Sequence, residues 1–247
     1  MSISPLAKVG CKARLGKNIS IGDFTIIHDN VILGDDVTVE SHCVLGYPTP
    51  NSDGDPLVIG DRAHIRTHSI FYEGSVFGDD LITGHHVMVR EKFKAGKNFQ
   101  IGTMCDFEGY AEVGDYVRTH SNIHITQKIK IGNFVWIFPS TVFSNGLYPP
   151  CNELEGSIVE DYAVIGILSC IMPGVSIGTR SLVGSHSLVK RDVLPDTVVG
   201  GVPAKKICMT KDLKMRDGSS AYPWTAHFHR GFPEEIVKSW MKEYDHE

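Results

Sequence analysis

Residues 9–38 read VGCKARLGKNISIGDFTIIHDNVILGDDVT, and an aliphatic residue returns at every sixth position of this stretch. The spacing continues in three phased runs, which extend from Val9 to Leu45, from Ile59 to Phe143 and from Val159 to Val189. These runs hold 28 such positions, of which 26 are apolar, whereas a hydrophobic content of 42% would give about 12 by chance. Glycine follows the sixth-position residue 15 times. The chain is therefore built from a six-residue repeat.

A period of six matches neither the period of an α-helix nor the two-residue alternation of a simple strand. It is typical of a short strand and a turn repeated along the chain. The sixth-position residue and the small residue two places before it, such as Leu45 and Cys43, fall on the same side of a strand. We expect both to point into a narrow interior, and the glycine to relieve the turn that follows. Three repeats per coil predict about nine coils of stacked parallel strands.

The pattern [LIV]-G-x-x-[small]-x over residues 9–194 resembles the left-handed parallel β-helix of the hexapeptide-repeat acyltransferases. The resemblance covers about three quarters of the chain. It implies an all-β fold, a left-handed coil and a homotrimer whose sites lie between subunits.

Two segments interrupt the repeat, and both contain the Pro, Asn and Gly residues of loops. The first loop spans residues 46–58 and the second spans residues 144–158. We therefore predict a β-helix domain over residues 1–195 and a C-terminal extension over residues 196–247. Within the extension, Pro233 followed by two glutamates predicts the start of a short α-helical tail. The aromatic and histidine-rich stretch before it, YPWTAHFHRGFP, is expected to pack rather than to bind metal.

Three further segments indicate a subgroup of this family. FSNGLYPP at residues 143–150, RTHSNIHITQ at 118–127 and GHHVMVRE at 84–91 resemble parts of N-acetyltransferases that act on nucleotide-linked amino sugars. The resemblance implies an acetyl-CoA-dependent N-acetyltransferase. Its substrate would be a dTDP- or UDP-linked amino sugar, used for surface polysaccharide or glycan.

The closing segment DVLPDTVVGGVPAKKI, residues 192–207, resembles the part of the family in which a Gly-x-Pro-Ala turn lies near coenzyme A. Basic side chains suit a ligand with several phosphates. The coenzyme A site implied in this way consists of Gly166, Gly184, Ser185, Lys190, Arg191, Pro203, Ala204, Lys205 and Lys206. No metal is expected.

Residues eighteen apart lie one above the other on successive coils, which places His124 over Asp106. A carboxylate beside an imidazole can orient the ring and stabilise its cation. His120 stands where the repeat usually has glycine, above Gly102, and such a break often marks a site. The predicted catalytic residues are therefore His124 as proton acceptor, Asp106 behind it, His120, and Asn145 of the second loop. The alternative is that the departing thiolate takes the proton and the histidines only hold the sugar.

Substrate contacts are expected from carboxylates and amides near these residues and from arginines that fit a nucleotide diphosphate. The predicted substrate-binding residues are Glu91, Glu108, Asn122, His85, His86, Arg66 and Arg90. Surface salt-bridging is the competing use of the two arginines. Cys43 and Cys105 fall in the inward small position and are expected to be core atoms.

Composition narrows the class of protein. A net charge of −5 argues against a nucleic-acid partner, and no apolar run approaches the length of a membrane span. The segment MSISPLAKVG lacks the features of a signal peptide, and six cysteines without a CxxC pair suggest reduced thiols, which together predict a cytoplasmic protein. Three alternatives remain open: a sugar or serine O-acetyltransferase, a non-catalytic trimeric scaffold, and a zinc carbonic anhydrase on the same solenoid.

Overall fold

The backbone of the chain winds into a left-handed parallel β-helix of about eleven turns, followed by one short helix. The structure is a computed structural model, and it describes residues 1–244. Strands of two to five residues stack to form three flat faces, all in parallel except Lys205–Met209, and a complete coil contributes one strand to each face. This confirms the predicted fold class.

The first face contains Ser2–Ile3, Ser20–Ile21, Thr38–Val39, His64–Ile65, Ile82–Thr83, Gln100–Ile101, Arg118–Thr119, Trp136–Ile137, Val164–Ile165, Leu182–Val183, Thr197–Gly200 and Lys205–Met209. The second face contains Lys8–Val9, Ile26–Ile27, Val44–Tyr47, Ile70–Tyr72, Met88–Val89, Asp106–Phe107, His124–Ile125, Val142–Phe143, Cys170–Ile171 and Leu188–Val189. The third face contains Arg14–Leu15, Val31–Leu33, Leu57–Ile59, Val76–Phe77, Lys94–Ala95, Glu112–Val113, Lys130–Ile131, Ile158–Val159 and Ser176–Ile177.

The solenoid is longer than the nine coils that the repeat predicts. At its start, Ser2–Ile3 already pairs with Ser20–Ile21, although the apolar pattern begins only at Val9. At its end, Thr197–Gly200 adds another parallel strand beside Leu182–Val183. The chain then turns back, and Lys205–Met209 pairs antiparallel with that last strand. Ser2–Ile3 is exposed and needs no apolar pattern, whereas Val198 and Val199 are buried but fall outside the six-residue phase that ends at Val189.

The core is a single column of side chains that point inward from all three faces. Small residues alternate with large ones, and Phe71, Phe93 and Phe107 are fully buried in its middle. Cys43 and Cys105 lie in this column, where burial raises the pKa of each thiol to about 11. The predicted inward pairing and the structural role of these two cysteines are confirmed.

The glycines of the repeat have a different role from the predicted one. A Cβ atom on Gly16 would lie 2.5 Å from the carbonyl carbon of Gly34 one coil away, and one on Gly22 would lie 2.6 Å from the backbone nitrogen of Ser41. Glycine is therefore needed because successive coils approach closely, and the expectation that it relieves the turn is wrong. The left-handed turn residue comes two positions later and is usually not glycine, as at Asn18 and Phe24.

The edge between the third and first faces is held by a ladder of side-chain acceptors. The Oδ1 atom of Asp35 accepts a hydrogen bond from the backbone nitrogen of Lys17 at 2.7 Å, and Asp61 does the same for Asp35 at 2.7 Å. Asp115 repeats the contact with Lys97 at 2.9 Å. Each acceptor joins its own coil to the preceding one, so the ladder fixes the register of the column.

Residues beyond the last coil fold back over the first face. They contain two short 3-10 helices, Thr210–Asp212 and Trp224–Ala226, and the α-helix Glu234–Tyr244. A further 3-10 helix, Pro50–Ser52, lies in the first loop. The ring of Phe228 lies 5.1 Å from that of Trp136, and Trp240 lies 5.4 Å from Phe134. The aromatic stretch therefore packs on the solenoid, as predicted.

A buried arginine holds this tail in place. The guanidinium of Arg118 donates hydrogen bonds to the carbonyl oxygen of Asn98 at 2.6 Å and to that of Gly231 at 3.0 Å. It also lies 4.8 Å from the centre of the Phe232 ring. Burial lowers the pKa of Arg118 to about 10. The contact joins the sixth and seventh strands of the first face to the tail.

Replacing Gly34 by alanine tests the close approach of the coils. The added Cβ would lie 2.7 Å from the backbone nitrogen of Asp61, and neither atom can move without shifting a coil. We expect the free energy of unfolding to fall by about 1–3 kcal/mol, measured as a lower melting temperature. Gly200→Ala is the control, because its new Cβ meets only side-chain atoms, the terminal methyl of Ile207 at 2.9 Å and Oγ of Ser187 at 3.8 Å. Equal melting temperatures for the two variants would contradict this account of the glycines.

Candidate active site

The second face carries an outward cluster of acidic and imidazole side chains. Asp106 and His124 are direct neighbours in the parallel register, one coil apart. The Nδ1 atom of His124 lies 3.1 Å from Oδ2 of Asp106, and its Nε2 atom lies 3.5 Å from Oε1 of Glu108. The three side chains are each between 33% and 40% exposed, so a ligand can reach them. The predicted stacking of His124 over Asp106 is confirmed as geometry.

The two carboxylates favour the protonated form of the imidazole. The hydrogen bond that the His124 ring donates to Asp106 is the main cause that raises the pKa of His124, and the charges of Asp106 and Glu108 add to it against the effect of burial. A raised pKa makes the neutral ring a stronger base and the imidazolium a more persistent acid. The cluster can therefore accept, hold and return one proton.

Two buried oxygen atoms in this region have no hydrogen-bond partner among the described residues. They are Oδ1 of Asp106 and Oγ1 of Thr126. Thr126 directly follows the strand His124–Ile125. The residue stacked above it on the next coil is Ser144, where the second loop begins. Native proteins leave few such atoms unpaired. Sequence reasoning missed Thr126, although counting eighteen residues on from Glu108 would have found it.

Both loops leave the solenoid at the edge between the second and third faces, on either side of this cluster.

The first loop is fastened by charged side chains. The carboxylate of Glu73 accepts hydrogen bonds from the backbone nitrogen of Thr49 at 3.1 Å and from Oγ of Ser52 at 2.7 Å. Lys92 lies 2.6 Å from a carboxylate oxygen of Asp55. The first loop is therefore a fixed wall beside the cluster.

Glu91 belongs to the fastening of this loop. It is fully buried, and its Oε1 atom accepts hydrogen bonds from Asn51 at 3.2 Å and from Arg90 at 3.1 Å. Burial alone would raise the pKa of Glu91, but these hydrogen bonds and the charge of Arg90 lower it. The predicted sugar-binding carboxylate is thus covered in this structure, and Arg90 is paired with it rather than free for a diphosphate. Arg66 donates a hydrogen bond to the carbonyl oxygen of Thr83.

The second loop is held more lightly. Nζ of Lys128 donates a hydrogen bond to the carbonyl oxygen of Leu154 at 2.8 Å. Within the loop, the carbonyl oxygen of Asn145 accepts a hydrogen bond from the backbone nitrogen of Glu155, also at 2.8 Å. Asn145 is half-buried at the start of the loop. The predicted role of its side chain stays a prediction.

His120 lies on a different edge of the solenoid from Glu108. Its ring stacks on Phe138 at 4.9 Å and lies 6.1 Å from that of Trp136, so it points toward the following coil and not over Gly102. Loss of water around the ring lowers the pKa of His120. His120 therefore lies at the edge between the first and second faces, whereas His124 lies on the second face itself.

The remaining predicted substrate residues lie on the same edge as His120, between the first and second faces. Nδ1 of His85 is 2.8 Å from Oγ1 of Thr67, and the ring of His86 stacks on His68 at 4.7 Å. Asn122 is the exposed left-handed turn residue of its coil. These three residues line an edge that the His124 cluster does not share.

The predicted coenzyme A residues lie toward the far end of the solenoid. Lys190, Arg191, Lys205 and Lys206 are exposed, and none forms an ion pair with another residue in the 1–244 range. The backbone nitrogen of Ala204 donates to the carbonyl oxygen of Leu188 at 2.8 Å, and Pro203 follows a cis peptide bond. Gly166 packs against the backbone nitrogen of Ser185 on the next coil, and Gly184 faces the carbonyl of Val199. Exposed apolar side chains accompany the cations: Leu194, Val202 and Ile207.

Across residues 1–244, no three His, Cys, Asp or Glu side chains are grouped so that they could hold a metal ion. None of the helices in that range has the length and apolar character that crossing a membrane requires.

Titration of His124 tests the cluster. Its raised pKa stabilises the fold at pH values below the ordinary histidine pKa, and this contribution is lost as the pH rises through the raised value. Asp106→Asn should lower the pKa of His124, measured from ring resonances by NMR, and should destabilise the protein more at about pH 5.5 than at about pH 8.5. The His120 resonance is the internal control and should not move. An unchanged His124 pKa would rule out the ion pair.

Comparison with known proteins agrees with this architecture. No model of a known protein family matches the chain. The chain is 26% identical over 197 residues to the bifunctional protein GlmU of Listeria monocytogenes serotype 4b (strain F2365), and 29% identical over 189 residues to that of serotype 4a (strain HCC23). Both alignments cover 76% of this chain and 39% of the relative, so the chain spans about two fifths of the length of the curated relatives it matches.

A solved structure shares the fold. The UDP-N-acetylglucosamine acyltransferase of Arabidopsis superposes with a TM-score of 0.69 and 21% sequence identity, over 84% of this chain and 74% of that one. The chain therefore shares its left-handed parallel β-helix fold with this acyltransferase and is similar in sequence to the GlmU proteins over three quarters of its length.

Proposed function

We propose that the chain is an acetyl-CoA-dependent N-acetyltransferase that acylates the amino group of a dTDP- or UDP-linked amino sugar. The observation that carries the proposal is the His124 cluster, an accessible imidazole held between two carboxylates at 3.1 and 3.5 Å. The segments FSNGLYPP and RTHSNIHITQ support the choice of an amino sugar through their resemblance to that subgroup. The Arabidopsis neighbour, by its name, also transfers an acyl group to a nucleotide-linked sugar.

The reaction needs a neutral amine and a destination for its proton. Acetyl-CoA supplies a thioester, whose C–S bond breaks as the C–N bond forms. In this proposal Nε2 of His124 accepts the proton from the amine, and Glu108 at 3.5 Å accepts a hydrogen bond from the incoming group. Asp106 holds Nδ1 and stabilises the imidazolium. The same proton is then returned to the leaving thiolate, so the histidine ends as it began.

The position of Glu108 limits when His124 can act. In the structure Oε1 of Glu108 faces Nε2, the atom that would accept the proton. A separation of 3.5 Å leaves no room for an amine nitrogen between these two atoms. The Glu108 side chain must therefore move aside as the amine binds, and it then becomes the amine's hydrogen-bond partner. The two carboxylates attract the cationic form of the amine, which favours an amino over a hydroxyl acceptor. The bound cation releases one proton to solvent before the neutral amine attacks the thioester, and His124 accepts the second proton.

The far end of the solenoid fits coenzyme A in two respects. Four cations without carboxylate partners in the described chain, Lys190, Arg191, Lys205 and Lys206, suit its phosphates. The exposed side chains of Val202 and Ile207 beside them suit its apolar parts. We include in the proposal a homotrimer with sites between subunits, a cytoplasmic location and a role in surface polysaccharide or glycan synthesis.

An acceptor panel tests the reaction. Release of thiol from acetyl-CoA should occur with dTDP- or UDP-linked amino sugars and should be absent with the matching hydroxyl sugars and with serine. Release only with hydroxyl acceptors would favour an O-acetyltransferase. Lack of coenzyme A binding would indicate a scaffold, and stoichiometric zinc with carbon dioxide hydration would indicate a carbonic anhydrase.

Separate replacement of the two histidines tests the assignment of the base. His124→Asn should lower kcat by about 10²–10⁴-fold, whereas His120→Asn should act mainly on KM because its ring lies on another edge. The kcat of the wild-type protein should also rise with pH through the raised pKa of His124. Near-normal kcat in His124→Asn would instead assign the proton to the departing thiolate.

A further inference from the structure

The side chain of Thr126 ends in a hydroxyl that forms no hydrogen bond in the fold. Thr126 is only 6% exposed, and its Oγ1 atom is buried without a hydrogen-bond partner among residues 1–244. An unpaired buried hydroxyl costs stability, so its presence calls for a physical reason. Thr126 adjoins the His124 cluster, and the proposed reaction does not use it.

The register of the second face places Thr126 directly above Glu108. The strand Asp106–Phe107 pairs in register with His124–Ile125. Glu108 and Thr126 follow these strands, and the backbone nitrogen of Glu108 donates to the carbonyl oxygen of Ile125 at 2.9 Å. Neighbouring strands are about 4.8 Å apart, which is within the reach of a glutamate side chain. Thr126 and Glu108 are therefore neighbours in one outward column.

The residue on the other side of Thr126 has a different partner. Ser144 stacks above Thr126, and its Oγ atom donates a hydrogen bond to the carbonyl oxygen of Gly146 at 3.4 Å. This contact turns the serine toward the second loop and leaves the threonine hydroxyl unpaired. The other group in the column that can accept its proton is the carboxylate of Glu108 below.

Glu108 is held loosely where it now lies. Its Oε1 atom is 3.5 Å from Nε2 of His124, and the carboxylate has no second polar contact with a side chain or backbone group of residues 1–244. This distance exceeds that of a good N–H···O hydrogen bond. The Glu108 side chain is also 33% exposed, so it is free to turn. Binding of the amine requires that it leave Nε2.

We propose that Thr126 is a positioning residue for the acceptor amine, because its hydroxyl receives the Glu108 carboxylate that the amine displaces. In the bound state one oxygen of Glu108 accepts a hydrogen bond from Oγ1 of Thr126, and the other accepts one from the amine. An ionised carboxylate has lone pairs for both. Because the threonine hydroxyl is shielded from water, its hydrogen bond to this charged group is strong. The inference rests on the proposed function, since it requires an amine as acceptor.

The contact between Thr126 and Glu108 also affects the proposed base. While Glu108 lies against Nε2 of His124, that atom is closed to the amine. A carboxylate held on Thr126 cannot return to Nε2, and its negative charge stays beside the amine. Thr126 thus favours binding of the amine without touching a reacting atom.

Thr126→Val tests the proposal, because valine has the shape of threonine and lacks the hydroxyl. The probe is the dTDP- or UDP-linked amino sugar that releases thiol fastest in the acceptor panel, and its binding is measured by calorimetry without acetyl-CoA. We expect its Kd to rise about five- to tenfold. The Kd of dTDP or UDP, which carry no amine, should not change. Thr126→Ser should retain most of the affinity.

Two further measurements separate positioning from a structural role. The melting temperature of Thr126→Val should not fall, since the change removes an unpaired buried hydroxyl. In a Glu108→Ala background, Thr126→Val should weaken the amino sugar less than about twofold, because the partner of the hydroxyl is gone. Thr38→Val, at a half-buried position of the first face, is the matched control and should leave the affinity unchanged.

Normal affinity of Thr126→Val for the amino sugar would overturn this inference and leave the proposed function intact. A lower melting temperature, or an equal loss of affinity in the Glu108→Ala background, would also overturn it, since the hydroxyl would then act on the fold. If the wild-type protein releases thiol with no amino sugar, the proposed function fails and this inference fails with it.

Discussion

The close stacking of each coil on the next is the constraint on which the rest of the molecule depends. Backbone hydrogen bonds join successive coils, as from the nitrogen of Gly16 to the carbonyl oxygen of Leu33 at 3.0 Å, and leave no room for a Cβ at many turns. The same stacking is held by acceptors such as Asp61 and Asp115 at the edge between the third and first faces. Glycine and aspartate therefore recur for related reasons. Glycine leaves room for the close approach of two backbones, and aspartate accepts a hydrogen bond from the backbone of the neighbouring coil.

This stacking also builds the candidate active site, because it turns sequence distance into spatial order. Asp106 and Glu108 lie on one coil, and His124 and Thr126 lie above them on the next. A flat outward face alone would leave these groups in water. The first loop, fastened through Glu73, supplies a wall beside them. The imidazole thus gains a raised pKa while it stays accessible.

The column and its registers were predictable from sequence because one inward residue recurs at every sixth position. The contact of His124 with Asp106 follows from the same count. Contacts that depend on departures from the repeat were not predictable. Glu91 is buried because Asn51 of the first loop reaches it across 40 residues of sequence, and Arg118 is buried because the tail returns over 113. The six-residue repeat carries no information about such long-range contacts.

The strand Lys205–Met209 gives the column a finished end. A stack of parallel strands otherwise exposes a row of unpaired amides and carbonyls, onto which another copy could add. Here the chain doubles back on its own last parallel strand, in the opposite direction, and places Lys205 and Lys206 on the outermost edge. Charged edges resist pairing with a further strand. The molecule thereby protects itself against growing end to end into a fibre.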